Sequence, residues 1–339
     1  MTGGDERLEG LVAELLDEIG PVDVDRRVAH TLVVESLGLL ADEPASLDLK
    51  IATAALAEMR DAFAMFQPYR NKRKVTIFGS ARATADEPVY RQTVAMASAV
   101  ARRGWMVVTG AGPGLMQAGM EGAGRSMSIG VSIRLPFETS ANPIIDGDPK
   151  YVSMKYFFTR KLMLIKESAA FICLPGGFGT LDETFELLTL TQTGKGQPVP
   201  IVLLDPPGDS YWEAVDRFIR GHLVPRSLIG PDDPDLYLVT DSCERAADEV
   251  ERFYANFDSL RFVGDRLVIR LRRAPDADVL RALHEEFSDL TVSGRIERRG
   301  PFDVEERDDD HLDLDRLVLH YDPRRAALLR RFINKLNEY

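Results

Sequence analysis

Apolar positions spaced three and four apart run through roughly the first 70 residues, a spacing that predicts helices. In "LEGLVAELLDEI" it places Leu8, Leu11, Leu15 and Ile19 on one stripe. "VAHTLVVESLGLLADE" and "LDLKIATAALAEMRDAFAMF" continue in the same manner, with Pro21, Pro44 and Pro68 as punctuation. This preface, residues 1–70, is expected to pack on the main domain or on a second subunit.

From "KVTIFGSA" onward the pattern becomes short, nearly continuous apolar runs alternating with amphipathic stretches. "WMVVTGAGPG", "SIGVSIRLP", "AAFICLPGG", "PVPIVLLDP" and "LYLVTD" read as strands. "EPVYRQTVAMASAVARRG", "LMQAGMEGAGRSM", "MKYFFTRKLMLIKES", "TLDETFELLTLTQTG", "SYWEAVDRFIRGHL" and "CERAADEVERFYANF" read as helices. Within "MKYFFTRKLMLIKES", "FF" and "LMLI" are expected to bury against the sheet. Uniformly apolar strands alternating with helices imply a parallel sheet covered on both faces. The expected fold is therefore α/β, a Rossmann-like doubly wound sheet over residues 71–258. A smaller α+β appendage, residues 259–339, follows with "RLVIRLRRAP", "ADVLRALHEEF", "SGRIERRG", "LDRLVLHYDP" and a last helix. Its acidic run "DVEERDDDHLDLD" reads as a solvated loop.

Composition narrows the chemistry. A net charge of −12 argues against an electrostatic grip on nucleic acid or an anionic membrane, while leaving room for a local anion pocket. No apolar run approaches the roughly 20 residues that span a bilayer. The acidic start lacks a signal peptide's basic and apolar segments, and a cytoplasmic location is expected. Two distant cysteines, Cys173 and Cys243, build neither a disulfide framework nor a metal site, and Cys173 reads as a buried thiol. The five histidines are scattered and no metal-ligand spacing is found.

Ligands of open parallel sheets bind beyond the carboxyl ends of the strands. Three such ends carry small residues: Gly79-Ser80, Gly110 to Gly114, and Gly176, Gly177 and Gly179. Glycines let a ligand approach the backbone, and a following helix offers free N–H groups that suit a phosphate. Thr180 adds a hydroxyl. "GAGPG" begins like a dinucleotide fingerprint, but Leu115 stands where its last glycine belongs, and the phosphate-loop lysine pattern is missing. Asp182 and Glu183 sit in a first helical turn, where acids complement the helix dipole in any protein. Glu183, three residues after Thr180, also faces the glycine loop, where a carboxylate could hold sugar hydroxyls or activate water. Arg160 and Lys161 interrupt an otherwise apolar helix, either as a snorkelling pair or with one cation reaching the mouth.

"PGGFGTLDE" resembles the P-G-G-x-G-T-x-x-E signature of the LOG family, cytokinin riboside 5′-monophosphate phosphoribohydrolases once labelled lysine decarboxylases. "Met154…Arg160-Lys161", "TIFGSAR" and "TGAGPGLMQAGMEGA" are similar to the family's other motifs, in the same order, over residues 74–257. The resemblance implies a Rossmann-like homodimer or higher homo-oligomer that cleaves the N-glycosidic bond of a nucleoside 5′-monophosphate, without metal or redox cofactor. It implies that Gly176, Gly177, Gly179 and Thr180 bind the 5′-phosphate and that Arg160 and Glu183 form the catalytic pair. Lys161 and Met154 would lie close by, and Gly79, Ser80, Gly112 and Gly114 would line the rest of the pocket. Short family members lack the helical preface and the appendage, and larger bacterial relatives resemble general nucleotide nucleosidases. A nucleotide sensor on the same fold is the rival expectation, and a pyridoxal-phosphate decarboxylase the third.

Overall fold

The computed structural model describes residues 3–19, 25–135 and 141–339; Pro21, the end of the "SIGVSIRLP" run and the side chain of Leu8 lie outside the described residues. The chain divides into two compact units, residues 1–60 and 61–339. The first holds helices α1 (Gly3–Ile19) and α2 (Arg26–Ala41) and most of α3 (Ser46–Phe66), as the apolar spacing predicts. The stripe itself differs from expectation. Leu11, Leu15 and Ile19 are each more than half exposed, and Val12 and Leu16, one turn apart, are the buried pair.

The second unit opens with the alternating stretch. In chain order it forms β1 (Lys74–Phe78), α4 (Pro88–Arg102), β2 (Met106–Thr109), α5 (Leu115–Ala123), β3 (Ser128–Ile133), β4 (Tyr151–Met154) and α6 (Phe157–Lys166). Then follow β5 (Ala170–Cys173), α7 (Phe178–Gln192), β6 (Ile201–Leu204), α8 (Tyr211–Phe218), β7 (Leu238–Thr240) and α9 (Cys243–Arg252). The seven strands form one parallel sheet in the order β4-β3-β2-β1-β5-β6-β7. Its central strands are buried along their whole length, which is why they lack alternation in sequence. The strand order reverses beside β1, so the crevice between β1 and β5 is the topological switch point.

Two local readings change. Tyr151–Met154 is an edge strand, registered Ile133 to Met154, and helix α6 begins only at Phe157. On α6, Met163 and Leu164 are fully buried, whereas Phe157 and Phe158 are each 55% exposed and Leu162 is 44% exposed. A helix this short presents one side to the sheet, and the "FF" pair falls on the other.

The appendage builds a four-stranded antiparallel sheet from β8 (Phe257–Val263), β9 (Arg266–Leu271), β10 (Thr291–Arg298) and β11 (Asp315–Tyr321), in the order β10-β11-β9-β8. It carries α10 (Ala277–Glu286), α11 (Asp303–Arg307) and α12 (Ala326–Leu336). The acidic run is solvated over most of its length but not throughout. Glu305 on α11 is 0% exposed and accepts from Arg270 Nη2 at 2.8 Å and Arg316 Nε at 3.2 Å. Asp310 receives Arg261 at 2.6 Å and Arg270 at 2.5 Å. Apolar residues of both sheets belong to one core, running from Val75, Ile172 and Val202 to Leu267, Leu317 and Phe332. At the joint, Asn337 Oδ1 accepts from the amides of Asn256 and Phe257 at 2.9 and 2.8 Å.

Candidate active site

The site is assembled from strand exits. After β1, Ser80 N donates to Pro175 O at 3.2 Å, and Ser80 O accepts from Leu115 N at 2.9 Å. Three glycine-bearing loops are thus held together by backbone hydrogen bonds. Gly114 has a φ of +66°, and a Cβ there would lie 2.4 Å from Ser80 O, so glycine is required by conformation and by space. At Gly110 a Cβ would stand 2.2 Å from Arg160 Nη2, so a side chain there would displace the guanidinium.

The loops open on a cavity of about 900 Å³. Gly79, Ser80, Gly112, Arg160, Gly176, Gly177, Gly179, Thr180 and Glu183 all line it. A Cβ at Gly177 or Gly179 would meet nothing within 4 Å, so these two present bare backbone to open space. Gly177 caps α7 without any side-chain hydrogen bond, leaving first-turn amides free for a ligand. Gly176 is packed differently, its Cβ position 2.2 Å from Thr180 Oγ1.

Arg160 and Glu183 come from different helices and meet at the cavity wall. Arg160 Nη1 lies 3.1 Å from Glu183 Oε1, and Arg160 Nε donates to Val131 O at 3.0 Å. Both side chains are almost wholly buried, at 9% and 12% exposure. Burial raises the Glu183 pKa above the ordinary carboxylate range, and the charges of Arg160 and Lys161 pull against that rise. The result is a fixed carboxylate with a cationic neighbour, suited to stabilising positive charge that develops on a bound molecule.

Three candidates lie outside the cavity lining. Lys161, adjacent to Arg160, points to the other side of α6 and pairs with Asp182 at 2.6 Å and Glu186 at 2.8 Å. Asp182 is therefore an ion-pair partner as well as a first-turn acid. Met154 is fully buried at the end of β4. Gly114 shapes the loop behind the cavity.

Other residues of the site had no motif to announce them. Tyr211, at the start of α8, donates its hydroxyl to Gly176 O at 2.7 Å. The amide of its neighbour Trp212 is held by both oxygens of Asp205, each at 2.9 Å. Tyr151 and Ser132 share a hydrogen bond of 2.8 Å on the far wall. Phe178 stands 94% exposed at the rim. Cys173, just before the loop, is buried, and burial pushes its thiol up to about 12, which leaves it unreactive. Among the described residues no group of three His, Cys, Asp or Glu is arranged to hold a metal ion.

Comparison with known proteins meets this same region. A family model described as "Possible lysine decarboxylase" matches residues 114–250. A rice protein named probable cytokinin riboside 5′-monophosphate phosphoribohydrolase is 29% identical over 207 residues, 59% of this chain and 93% of the relative. A Mycobacterium tuberculosis protein named cytokinin riboside 5′-monophosphate phosphoribohydrolase is 28% identical over 170 residues, 48% of this chain and 87% of the relative. Among solved structures, the molybdenum cofactor carrier protein of Chlamydomonas reinhardtii is 21% identical, covers 53% of this chain and 97% of its own, and has a TM-score of 0.38. Family model and curated relatives converge on the sheet that builds the cavity, and over that region the chain is similar to the LOG family.

Proposed function

We propose that the protein is a nucleoside 5′-monophosphate phosphoribohydrolase, releasing free base and ribose 5-phosphate. The observation that carries this reading is the buried Arg160–Glu183 pair, set in the wall of a cavity whose rim is the bare backbone of Gly177 and Gly179. The free amides at the start of α7 hold the phosphate. That remote binding fixes the sugar and contributes to the chemical step. As the glycosidic bond breaks, positive charge grows on the ribose. The Glu183 carboxylate stabilises that charge and orients or deprotonates the attacking water. Arg160, tied to Val131 O, keeps Glu183 ionised and in place. The names of the curated relatives support the same reaction class.

The test is a panel of AMP, GMP, IMP, CMP, UMP and N6-isopentenyl AMP, with free base followed by chromatography. Base release from at least one member is expected. Binding without release from any member would replace the enzyme by a sensor.

Two finer results follow. The acid limb of kcat/KM is expected above the ordinary glutamate range, because protonating Glu183 removes the active carboxylate. In Arg160→Gln the limb moves to still higher pH, since a cation that favours the charged form is lost. A limb that stays put in pH–rate profiles would separate Arg160 from the ionisation. Tyr211→Phe is expected to raise KM about 3- to 10-fold with little change in kcat, the worth of one hydrogen bond to the loop. An equal fall in kcat alone would place Tyr211 in the chemistry instead.

We also propose a homodimer. Phe157, Phe158, Leu162 and Phe178 form exposed apolar surface on α6 and the start of α7, more than scattered surface residues explain. Sedimentation of the full chain checks it. No described helix is long and apolar enough to cross a membrane. Two free cysteines support the cytoplasm as the working compartment.

A further inference from the structure

A second cavity, of about 570 Å³, opens at the opposite end of the parallel sheet. Arg73 immediately precedes β1 and Trp105 immediately precedes β2, so the cavity lies at the amino ends of these strands, away from the glycine loops. Arg272, just past β9, closes it from the four-stranded sheet. We propose that this cavity binds a small, multiply charged oxyanion, a phosphate or diphosphate group, between the two sheets.

The charge balance carries the argument. Five cationic side chains line the cavity against two carboxylates, in a chain whose net charge is −12. Both of those carboxylates, Asp248 and Glu251, are engaged by one cation, Arg103, at 3.0 Å each. Arg103 takes Glu244 as well, at 2.7 Å. The other four cations are left without close compensation. Lys72 and Arg252 make no ion pair among the described residues. The carboxylate paired with Arg73, Asp258, is 3.7 Å away. Arg272 Nη1 donates to the carbonyls of Tyr254 and Ala255, at 2.6 and 2.8 Å, which satisfies hydrogen bonds without cancelling charge.

Arginines often gather at a helix C-terminus such as that of α9, to meet its carbonyls. That accounts for Arg272 and not for Arg73, which is stacked 4.2 Å over Tyr254 and 5.9 Å from Trp105. Burial draws the Arg73 guanidinium below its ordinary pKa, and the charge of Arg272 adds to that repulsion. Two guanidinium groups lining one cavity, one of them fixed on an aromatic floor, are the donors that planar recognition of phosphate oxygens calls for. A bound oxyanion would relieve the repulsion and tie Arg272 to Arg73 across the joint.

The chain has two tryptophans, and Trp105 lines this cavity. Trp212→Phe therefore leaves a single fluorophore at the site. Pyrophosphate is titrated at constant ionic strength, with sodium chloride as the control. A saturable change in Trp105 fluorescence is expected. Arg272→Gln should raise its midpoint at least tenfold, and Thr180→Val, in the glycine loop, should leave it unmoved. A linear drift matched by chloride would overturn the proposal. So would a midpoint moved by Thr180→Val and not by Arg272→Gln. Should Trp212→Phe fail to fold, the pyrophosphate-induced rise in melting temperature, compared between the native chain and Arg272→Gln, decides the same question. ADP in place of pyrophosphate distinguishes the sources: a lower midpoint assigns the phosphate to an organic diphosphate, a higher one to the free anion, and either supports the site.

Discussion

Glu183→Gln is expected to slow base release by about 10²- to 10⁴-fold while nucleotide affinity stays within about threefold. The loss corresponds to roughly 3–5 kcal/mol of transition-state stabilisation. The substitution keeps the volume and planarity of the side chain and removes its charge. Arg160 keeps its bond to Val131 O, and the phosphate loop begins six residues earlier at Gly177, so the binding wall is left standing. Ground-state binding rests on the loop and the rate on the carboxylate, so kcat falls and KM does not. Single-turnover release of base, beside equilibrium binding of the same nucleotide, separates the two. A rate within tenfold of wild type would remove Glu183 from the chemistry. Lost binding with an unchanged rate constant would make it a substrate anchor.

The second large effect concerns stability. Glu305→Ala is expected to cost about 3–5 kcal/mol, because it strands Arg316 in the interior without its carboxylate and leaves Arg270 with Asp310 alone. Replacing all three, Glu305→Leu with Arg270→Met and Arg316→Met, should recover most of the loss, since well-packed apolar residues remove the desolvation cost together with the charges. Denaturant midpoints of the three proteins check this; a single variant within about 1 kcal/mol of wild type would mean that water reaches the cluster. The pH dependence has a definite sign. Burial disfavours the charged form of Glu305, but the Arg270 and Arg316 hydrogen bonds and the Phe302 amide outweigh it and hold the pKa below the ordinary range. Asp310 is lowered in the same way by Arg261 and Arg270, against its own burial. Carboxylates with depressed folded-state values stabilise the protein above their unfolded pKa. That contribution is lost as pH falls through the depressed value.

What the sequence revealed tracks the range of the physics behind it. Fully buried strands such as Val75–Phe78 and Ile201–Leu204 are uniformly apolar, so local composition suffices to find them. The glycine exits are legible because their need is local too, as the positive φ of Gly114 illustrates. Strand β4 escaped notice since three half-buried residues and a buried Met154, after a Pro- and Gly-rich loop, have no period to read. Tyr211 reaches Gly176 across 35 residues, and no spacing rule spans that distance. The acidic run misled for the same reason. Charge in a sequence looks solvated until the arginines that neutralise it arrive from strands β9 and β11. The wrong apolar stripe on α1 has a simpler origin: two interleaved sets of apolar residues fit helical spacing equally well, and only tertiary packing chooses between them.

The single core shared by the two sheets has a consequence for how this protein could have come by its extra length. A module joined through a linker can be lost by an early stop codon and leave a working ancestor behind. Here a stop after Phe257 would uncover Phe253, Tyr254 and Phe257, and would remove Asn337 from the amides it satisfies. The truncated chain would expose an apolar seam where the long one has an interior. With that seam buried, the joint acts as a ratchet: a substitution there is read in the presence of both sheets, and the short form is not a neighbour reachable by one stop codon.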